Sequence, residues 1–568
     1  MTEVETPQKS SQSPIQSKRS KKPSTLRIGK RYRPNRLNGQ YDAIVIGSGI
    51  GGMTTAVGLS QFGKKVLVLE QHYTAGGFTH AYSRDGYEWD VGVHYIGDVG
   101  YPTMSRKLFD FISGGNLKWA AMDKTYDRIF LGDESFDLVT GSKAFVAELL
   151  RHFPEESEAI HKYLALLKKV NKSVRWFTLG KILKPWQQKL FTPLLKKLFP
   201  PEYNRTTYEV LRELTANEKL IAVLTGQWGD SGVPPKQGSF IIHCLVAKHY
   251  LNGGFYPVGG ASKFAETIIP KIEAAGGDVF TYAEVKEILI KNDKAVGVKM
   301  ADGTDIFAPL VISNAGVFNT YQKLLPQEVS HKFGYDQKLK TVNRSCTNVG
   351  LFIGLKHTAE ELGLPKTNFW IYLDEKHDEN IQAFFDDHTK PMPVIYISFP
   401  SAKDPSFNER YPGRSTIEIV APASYESFRQ WKDTTWGKRG EDYEQFSDYF
   451  ADRMLEALYT KLPQLQGKID YYEASTPLST EFFCFYDEGE IYGLEHTPSR
   501  FEQQWLQPKS QILGLYLTGH DVLSCGVAGA MMAGLVTAIK ILGWRKGYQL
   551  AKIIFKGNPE PKEGWVVN

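Results

Sequence analysis

Two apolar runs of strand length open the chain's ordered pattern. Tyr41-Asp42-Ala43-Ile44-Val45-Ile46 and Val66-Leu67-Val68-Leu69 flank a stretch from Met53 to about Phe62 that suits a helix. Strand, helix and strand at this spacing predict a βαβ unit over about residues 40–100. Further on, Gly141 to Lys169 reads as an amphipathic helix. Another helix is expected after Tyr256-Pro-Val-Gly-Gly-Ala-Ser262, ending near Ala275. Strands are expected at Val279–Thr281, Glu284–Leu289, Val296–Val298 and Leu310–Ala315. From about 320 to 505 alternating segments such as Val394-Ile-Tyr-Ile397 and Thr416-Ile-Glu-Ile-Val420 predict a second, largely antiparallel sheet. Leu515-Tyr516-Leu517 is a last strand, leading to Asp521 and then to Val522–Ile539, eighteen residues without a charge. That length would allow a membrane span. Its Gly and Ala content and its place after a strand predict a buried helix packed on a sheet instead.

Residues 181–200 break the pattern. They hold five lysines, no acid, and Trp186, Phe191 and Phe199 among leucines. Such a segment suits a membrane interface, and equally a surface helix packed on its own domain. Its internal prolines, Pro185 and Pro193, predict that it is not one uninterrupted helix.

The turn in the opening unit carries the first chemistry. Gly47-Ser48-Gly49-Ile50-Gly51-Gly52 is a G-x-G-x-x-G, and Glu70 stands eighteen residues past Gly52. With 51 Gly in 568 residues, chance supplies the spacing about 0.4 times per chain, so the flanking elements must decide. They agree. Gly47 permits the tight turn, Gly49 leaves room for a pyrophosphate, and Gly52 lets helix and strand pack closely. The helix N-terminus offers free N–H groups to phosphates. Glu70 can accept from an adenosine ribose and argues against a 2′-phosphate, so FAD or NAD fits better than NADP. Gln71 follows the acid, and Gly76-Gly77 lets backbone approach the pyrophosphate from the far side. At the other end Thr518-Gly519-His520-Asp521 precedes the Gly/Ala helix that includes Val527. This order puts a carboxylate near a ribityl hydroxyl and a helix N-terminus at the pyrimidine edge of an isoalloxazine. Two distant motifs that suit one cofactor point to FAD. No second G-x-G-x-x-G is present for NAD(P)H, which leaves the electron donor unknown.

Composition narrows the picture further. Cys244, Cys346, Cys484 and Cys525 form no C-x-x-C pair, which predicts a reduced intracellular protein without disulfides. No H-E-x-x-H or other metal-ligand spacing occurs among the histidines. The net charge is +5, yet residues 1–39 hold ten Lys/Arg against two acids, leaving 58 basic and 61 acidic residues elsewhere. The body is therefore slightly acidic. The tail, rich in Ser, Pro, Lys and Arg, is expected to be disordered. It lacks an apolar h-region and is not expected to act as a secretory signal, while a transit peptide stays open. No nucleic-acid partner is expected.

Over nearly its whole length the chain resembles the all-trans-retinol 13,14-reductase (retinol saturase) family, within the phytoene desaturase and carotenoid isomerase superfamily. The segments that carry the resemblance are Leu69-Glu-Gln-His-Tyr-Thr-Ala-Gly-Gly77, Trp89-Asp-Val-Gly-Val-His-Tyr-Ile-Gly97 and Gly253-Gly-Phe-Tyr-Pro-Val-Gly-Gly260. Val311-Ile-Ser-Asn-Ala-Gly-Val-Phe-Asn-Thr-Tyr321, Phe399-Pro-Ser-Ala-Lys-Asp-Pro405 and Leu517-Thr-Gly-His-Asp521 add to it. The resemblance implies an α/β flavoprotein: a Rossmann-like FAD-binding domain with an interleaved α+β substrate domain. The FAD domain would comprise 40–100, 250–320 and 510–545, and the substrate domain 101–249 and 321–509, with 546–568 a C-terminal extension. It implies noncovalent FAD held by Gly47, Ser48, Gly49, Gly52, Glu70, Gln71, Gly76, Gly77, Val285, Gly519, Asp521 and Val527. The implied reaction is saturation of one double bond in a retinoid or carotenoid-like polyene. Candidate proton sources are His94, Tyr95, Tyr492 and His520. Carotenoid isomerisation or desaturation on the same fold is the alternative. A flavin-free lipid-binding chaperone is the reading from a different class. The chain departs from the family at Phe78-Thr79, where the animal enzymes carry cysteines, and at Glu481–Tyr486.

Overall fold

A computed structural model describes residues 24–100, 103–183, 185–556 and 566–567. Its centre is a six-stranded parallel sheet. In spatial order the strands are Lys30–Arg31, Asp278–Thr281, Val66–Leu69, Ala43–Ile46, Val311–Ser313 and Leu515–Leu517. Ala43–Ile46 and Val66–Leu69 are buried at every position, as strands covered on both faces must be.

The helix Ile50–Ser60 is also buried along its whole length. It has no polar face because it is enclosed by the sheet and by the helix Gly526–Lys556. A Cβ on Gly534 would stand 2.7 Å from Thr54 Cβ, and one on Gly58 2.8 Å from Ala538 Cβ. Among the described residues Gly526–Lys556 alone is long and apolar enough to cross a membrane. It is not one straight rod, since Gly543 breaks it with φ 75° and ψ 176°.

A second sheet of seven strands lies across the first unit. Its order is Ile469–Ser475, Thr347–Leu355, Ser415–Ala423, Val394–Ser398, Asn368–Tyr372, Thr125–Leu131 and Glu134–Val139. Every pairing is antiparallel except that of Asn368–Tyr372 with Thr125–Leu131. The hairpin Ala81–Arg84/Tyr87–Asp90 packs on Phe352 and Tyr471 of the second sheet, and Asp90 at its end accepts from Ala261 N of the other half at 2.9 Å. Trp89 is 1% exposed, packs with Tyr82, Tyr87 and Tyr471, and donates its indole N–H to Ile353 O at 2.9 Å.

Several expectations are corrected. Residues 24–39 are not a free tail. Lys30 and Arg31 extend the parallel sheet beside Phe280 and Thr281, and Ile28 O accepts from Ala75 N at 2.9 Å. Backbone pairing at a sheet edge needs no apolar side chains, so composition hid it; Arg27 and Arg31 lie over the rings of Tyr73 and Tyr282. The expected disorder of 1–23 lies outside the described residues. The first helix starts at Ile50, before Met53, with its opening turn built from the glycines themselves. Residues 141–169 do not form one helix: Ser142–His152 and Ser157–Ile182 are separated at Pro154. Residues 181–200 are, as expected, not one uninterrupted helix: Ser157–Ile182 ends before Pro185, where Pro185–Lys196 begins, although Pro193 lies within that second helix. Leu517 does not run straight into the Gly/Ala helix, which begins at Gly526 after an eight-residue loop. All four cysteines are free.

Candidate functional site

Three glycine segments converge at the C-terminal ends of the parallel strands. A Cβ on Gly51 would lie 2.8 Å from Gly519 Cα, and one on Gly77 2.9 Å from Gly49 Cα. Side chains there would close the space that opens beside them. Gly52 serves the packing: its Cβ would fall 2.3 Å from Gly47 O and 3.0 Å from Val45 Cγ1. A cavity of about 610 Å³ begins at this cradle, bordered by Gly47, Gly49, Glu70, Gln71, Gly76 and Gly77. Val285 borders it at one end, and Gly519, His520 and Val527 farther along. It continues beneath the seven-stranded sheet between Trp228, Phe352, Trp370 and Tyr396.

Glu70 is nearly enclosed. One carboxylate oxygen accepts from Ser48 N at 2.8 Å and Ser48 Oγ at 2.7 Å, the other from His72 N at 2.8 Å. Ser48 Oγ in turn accepts from Gly76 N at 3.0 Å. The acid thus fixes the first glycine turn to the second glycine pair while still bordering the cavity. Ser48, by contrast, is fully buried and, like Gly52, stands behind the wall.

Asp521 is a correction. Its carboxylate accepts from Val317 N at 2.8 Å and Leu494 N at 3.0 Å, and it does not border the cavity. Two orphan backbone donors claim it, so it positions the loops around the site and offers no side-chain oxygen to a ribityl chain.

The four candidate proton sources separate. His94, Tyr492 and His520 border the cavity. Tyr95 does not: it is stacked on Tyr250, with its hydroxyl 2.8 Å from Asp127 Oδ2 and 3.1 Å from Asp230 Oδ2. His94 Nδ1 lies 2.9 Å from Glu418 Oε2. Burial lowers the His94 pKa and raises that of Glu418, so it favours the neutral form of each. His520 is held beside Tyr486, Nε2 to hydroxyl 3.1 Å, and burial lowers its pKa.

The sequence reading missed the polar layer behind these groups. Lys403 is buried, donates to His94 O at 3.0 Å and Ser398 Oγ at 2.8 Å, and also to Asn368 Oδ1. Burial lowers its pKa to about 7. Asp127 accepts from Gln227 at 2.7 Å and Asn368 at 2.8 Å. Asp230 borders the cavity itself. No local motif marks these residues, because their partners lie on other strands, and only the Gly-rich surroundings of Trp228-Gly229-Asp230 hinted at a close approach. Among the described residues no group of three or more His, Cys, Asp or Glu could hold a metal ion.

A dinucleotide cradle at the end of a parallel sheet, opening under a second, mostly antiparallel sheet, defines the two-domain fold of the amine-oxidase-like oxidoreductases. The family model for the NAD(P)-binding Rossmann-like domain matches residues 45–112. Cyclohexylamine oxidase from Brevibacterium oxydans shares the fold, with a TM-score of 0.55 and 15% identity over 91% of this chain and 99% of that one. The chain belongs to the all-trans-retinol 13,14-reductase family: it is 37% identical to the all-trans-retinol 13,14-reductase of Danio rerio over 553 residues, 94% of this chain and 91% of the relative. It is also 28% identical to the chloroplastic prolycopene isomerase of Daucus carota, over 89% of this chain and 84% of that protein. The protein is therefore an oxidoreductase.

Proposed function

We propose that the protein binds FAD noncovalently and saturates one carbon–carbon double bond of a retinoid or related polyene. The supporting observation is the continuity of the glycine cradle with an aromatic-lined cavity, in a chain of this family. The turn from Gly47 to Gly51 and the helix N-terminus at Ile50 would take the pyrophosphate. Glu70 would accept from the ribose with its remaining lone-pair capacity, and Val285 would flank the adenine. Gly519, in the loop after Leu517, and Val527, at the start of the helix Gly526–Lys556, would meet the isoalloxazine end. Reduced flavin supplies hydride when bound. Trp228, Phe352, Trp370 and Tyr396 exclude water and align an extended apolar substrate by its flat faces. In this reading the chain divides into the dinucleotide and substrate halves expected from its sequence.

The expected result is direct. Anaerobic protein with dithionite-reduced flavin, given all-trans-retinol, yields a product two hydrogens heavier with a blue-shifted absorption. The relative named for prolycopene isomerisation supports a second reading, tested with prolycopene in the same assay. Unchanged product mass with altered retention would decide for isomerisation.

We infer further that the protein docks on a membrane surface. Trp186, Leu190, Leu194 and Leu198 recur every four residues and are all exposed, Trp186 at 63%. Trp544, 74% exposed, and Tyr548 are further exposed aromatics on the helix Gly526–Lys556, whose Lys540 Nζ donates to the carbonyls of Lys181 and Ile182. Lys197 is exposed at the margin. Lys181 is not a headgroup ligand as its sequence position suggested: it is buried and donates to Leu506 O. Each exposed leucine is worth about 1.5 kcal/mol of transfer, roughly tenfold in partitioning. Leu190→Ser/Leu194→Ser is therefore expected to abolish flotation with liposomes while leaving flavin content unchanged. Flotation equal to wild type would remove this helix as the anchor.

A further inference from the structure

Tyr95 sets a proton-counting problem. Its hydroxyl has one hydrogen, yet it lies 2.8 Å from Asp127 Oδ2 and 3.1 Å from Asp230 Oδ2. Were both carboxyls ionised, one contact would set two oxygens together with no hydrogen between them, in a buried place where such repulsion is poorly screened. One carboxyl must hold a proton. Asp127 also accepts from Gln227 Nε2 at 2.7 Å and Asn368 Nδ2 at 2.8 Å. With three donors aimed at it, Asp127 is the carboxylate. Asp230 has no side-chain hydrogen-bond partner but Tyr95 among the described residues, so it carries the proton.

Asp230 also stands where a proton would be used. It borders the cavity beside Trp228, Gly229, Trp370, Tyr396 and Tyr492. Its backbone carbonyl is 3.7 Å from Cys525 Sγ, on the loop that leads into the helix at Gly526. That places it at the end of the cavity assigned above to the reactive ring.

We propose that Asp230 is the proton donor of the reduction, with Tyr95 its positioning residue. This rests on the saturase reading above. In the step, one carbon of the double bond takes hydride from the reduced flavin, and its neighbour takes the proton from Asp230. The π bond and one O–H bond break and two C–H bonds form. The substrate gains two electrons, the flavin loses two, and Asp230 is left as a carboxylate. With both carboxyls then ionised, Tyr95 has one hydrogen for two contacts, and this repulsion drives Asp230 to take up a proton again. Solvent returns the proton between turnovers. Burial and the charge on Asp127 both raise the Asp230 pKa far above the usual carboxylate range, in keeping with a stored proton.

The isosteric Asp230→Asn variant tests this by two readouts. The first needs no turnover: the infrared difference between wild type and Asp230→Asn, both with flavin bound, is expected to show a protonated-carboxyl C=O stretch belonging to wild type. That band is expected to shift in Tyr95→Phe, which removes the partner. The second is single-turnover saturation of all-trans-retinol, expected to slow about 10²–10⁴-fold in Asp230→Asn at unchanged flavin content and unchanged flavin reoxidation by oxygen. Absence of the band, or wild-type saturation by Asp230→Asn, overturns the assignment of Asp230 alone. A wild-type protein that forms no saturated product overturns the saturase reading and this step with it.

Discussion

Gly52→Ala is expected to leave the protein without bound flavin. The added Cβ would fall 2.3 Å from Gly47 O, 3.0 Å from Val45 Cγ1 and 3.2 Å from Asn314 Cβ. The first of these atoms is backbone in the turn itself, and the second lies on a buried central strand. Neither can swing aside as an exposed side chain would. Relief comes only by moving the helix Ile50–Ser60 off the strand, and that helix is walled in behind by Gly526–Lys556. Overpacking of this kind costs about 1–3 kcal/mol or more. The displacement lands on the Gly49–Gly51 backbone that would face the pyrophosphate, so affinity should fall roughly 10–100-fold. Flavin absorbance per chain, and titration of apoprotein with FAD, measure it. Wild-type stoichiometry and affinity would show that the cradle does not depend on this contact.

The second large effect is expected at Trp89. Trp89→Ala empties a site that is 1% exposed and seats the hairpin on the second sheet. A buried Trp→Ala change costs about 3–5 kcal/mol. The loss should appear as a lower urea midpoint for the first unfolding transition and as faster proteolysis between the two halves. Trp89→Phe should recover most of it, because the ring still fills the site and only the indole N–H to Ile353 O is lost. A loss below about 1 kcal/mol for Trp89→Ala would mean that the hairpin is not what fastens the halves.

The contrast between these residues and those of the polar layer shows what the sequence could disclose. Ala43–Ile46, the glycine turn and Glu70 form a local unit, and each member constrains its neighbours by spacing alone. The second sheet was visible as alternation, but its strands Thr125–Leu131 and Glu134–Val139 were not, since they join it from a distant segment by a parallel pairing. Lys30–Arg31 gave no apolar signal because an edge strand is held by its backbone. Apart from Ser398 beside Lys403, the partners of Asp127, Asp230, Lys403 and Glu418 lie roughly 30–330 residues away, and burial rather than neighbouring sequence sets their protonation. Asp521 shows the reverse error: a carboxylate at the expected position is claimed by two backbone N–H groups that no linear pattern announces.

The strand order of the parallel sheet also has a consequence for biosynthesis. Val66–Leu69 and Leu515–Leu517 belong to one sheet, yet roughly 450 residues separate them, and ribosomes add about 5–20 residues per second. For about half a minute to a minute and a half the nascent chain holds the glycine turn without Gly519 or the helix that packs against Ile50–Ser60. On the proposed reading, the cofactor site is incomplete until residues 515–556 have been made. In the interval the apolar faces of the first unit need a holdase or early intramolecular cover. A ribosome stalled before residue 515 should therefore carry a chain that binds chaperone and no flavin, and synthesis and release of residues 515–556 should exchange one for the other.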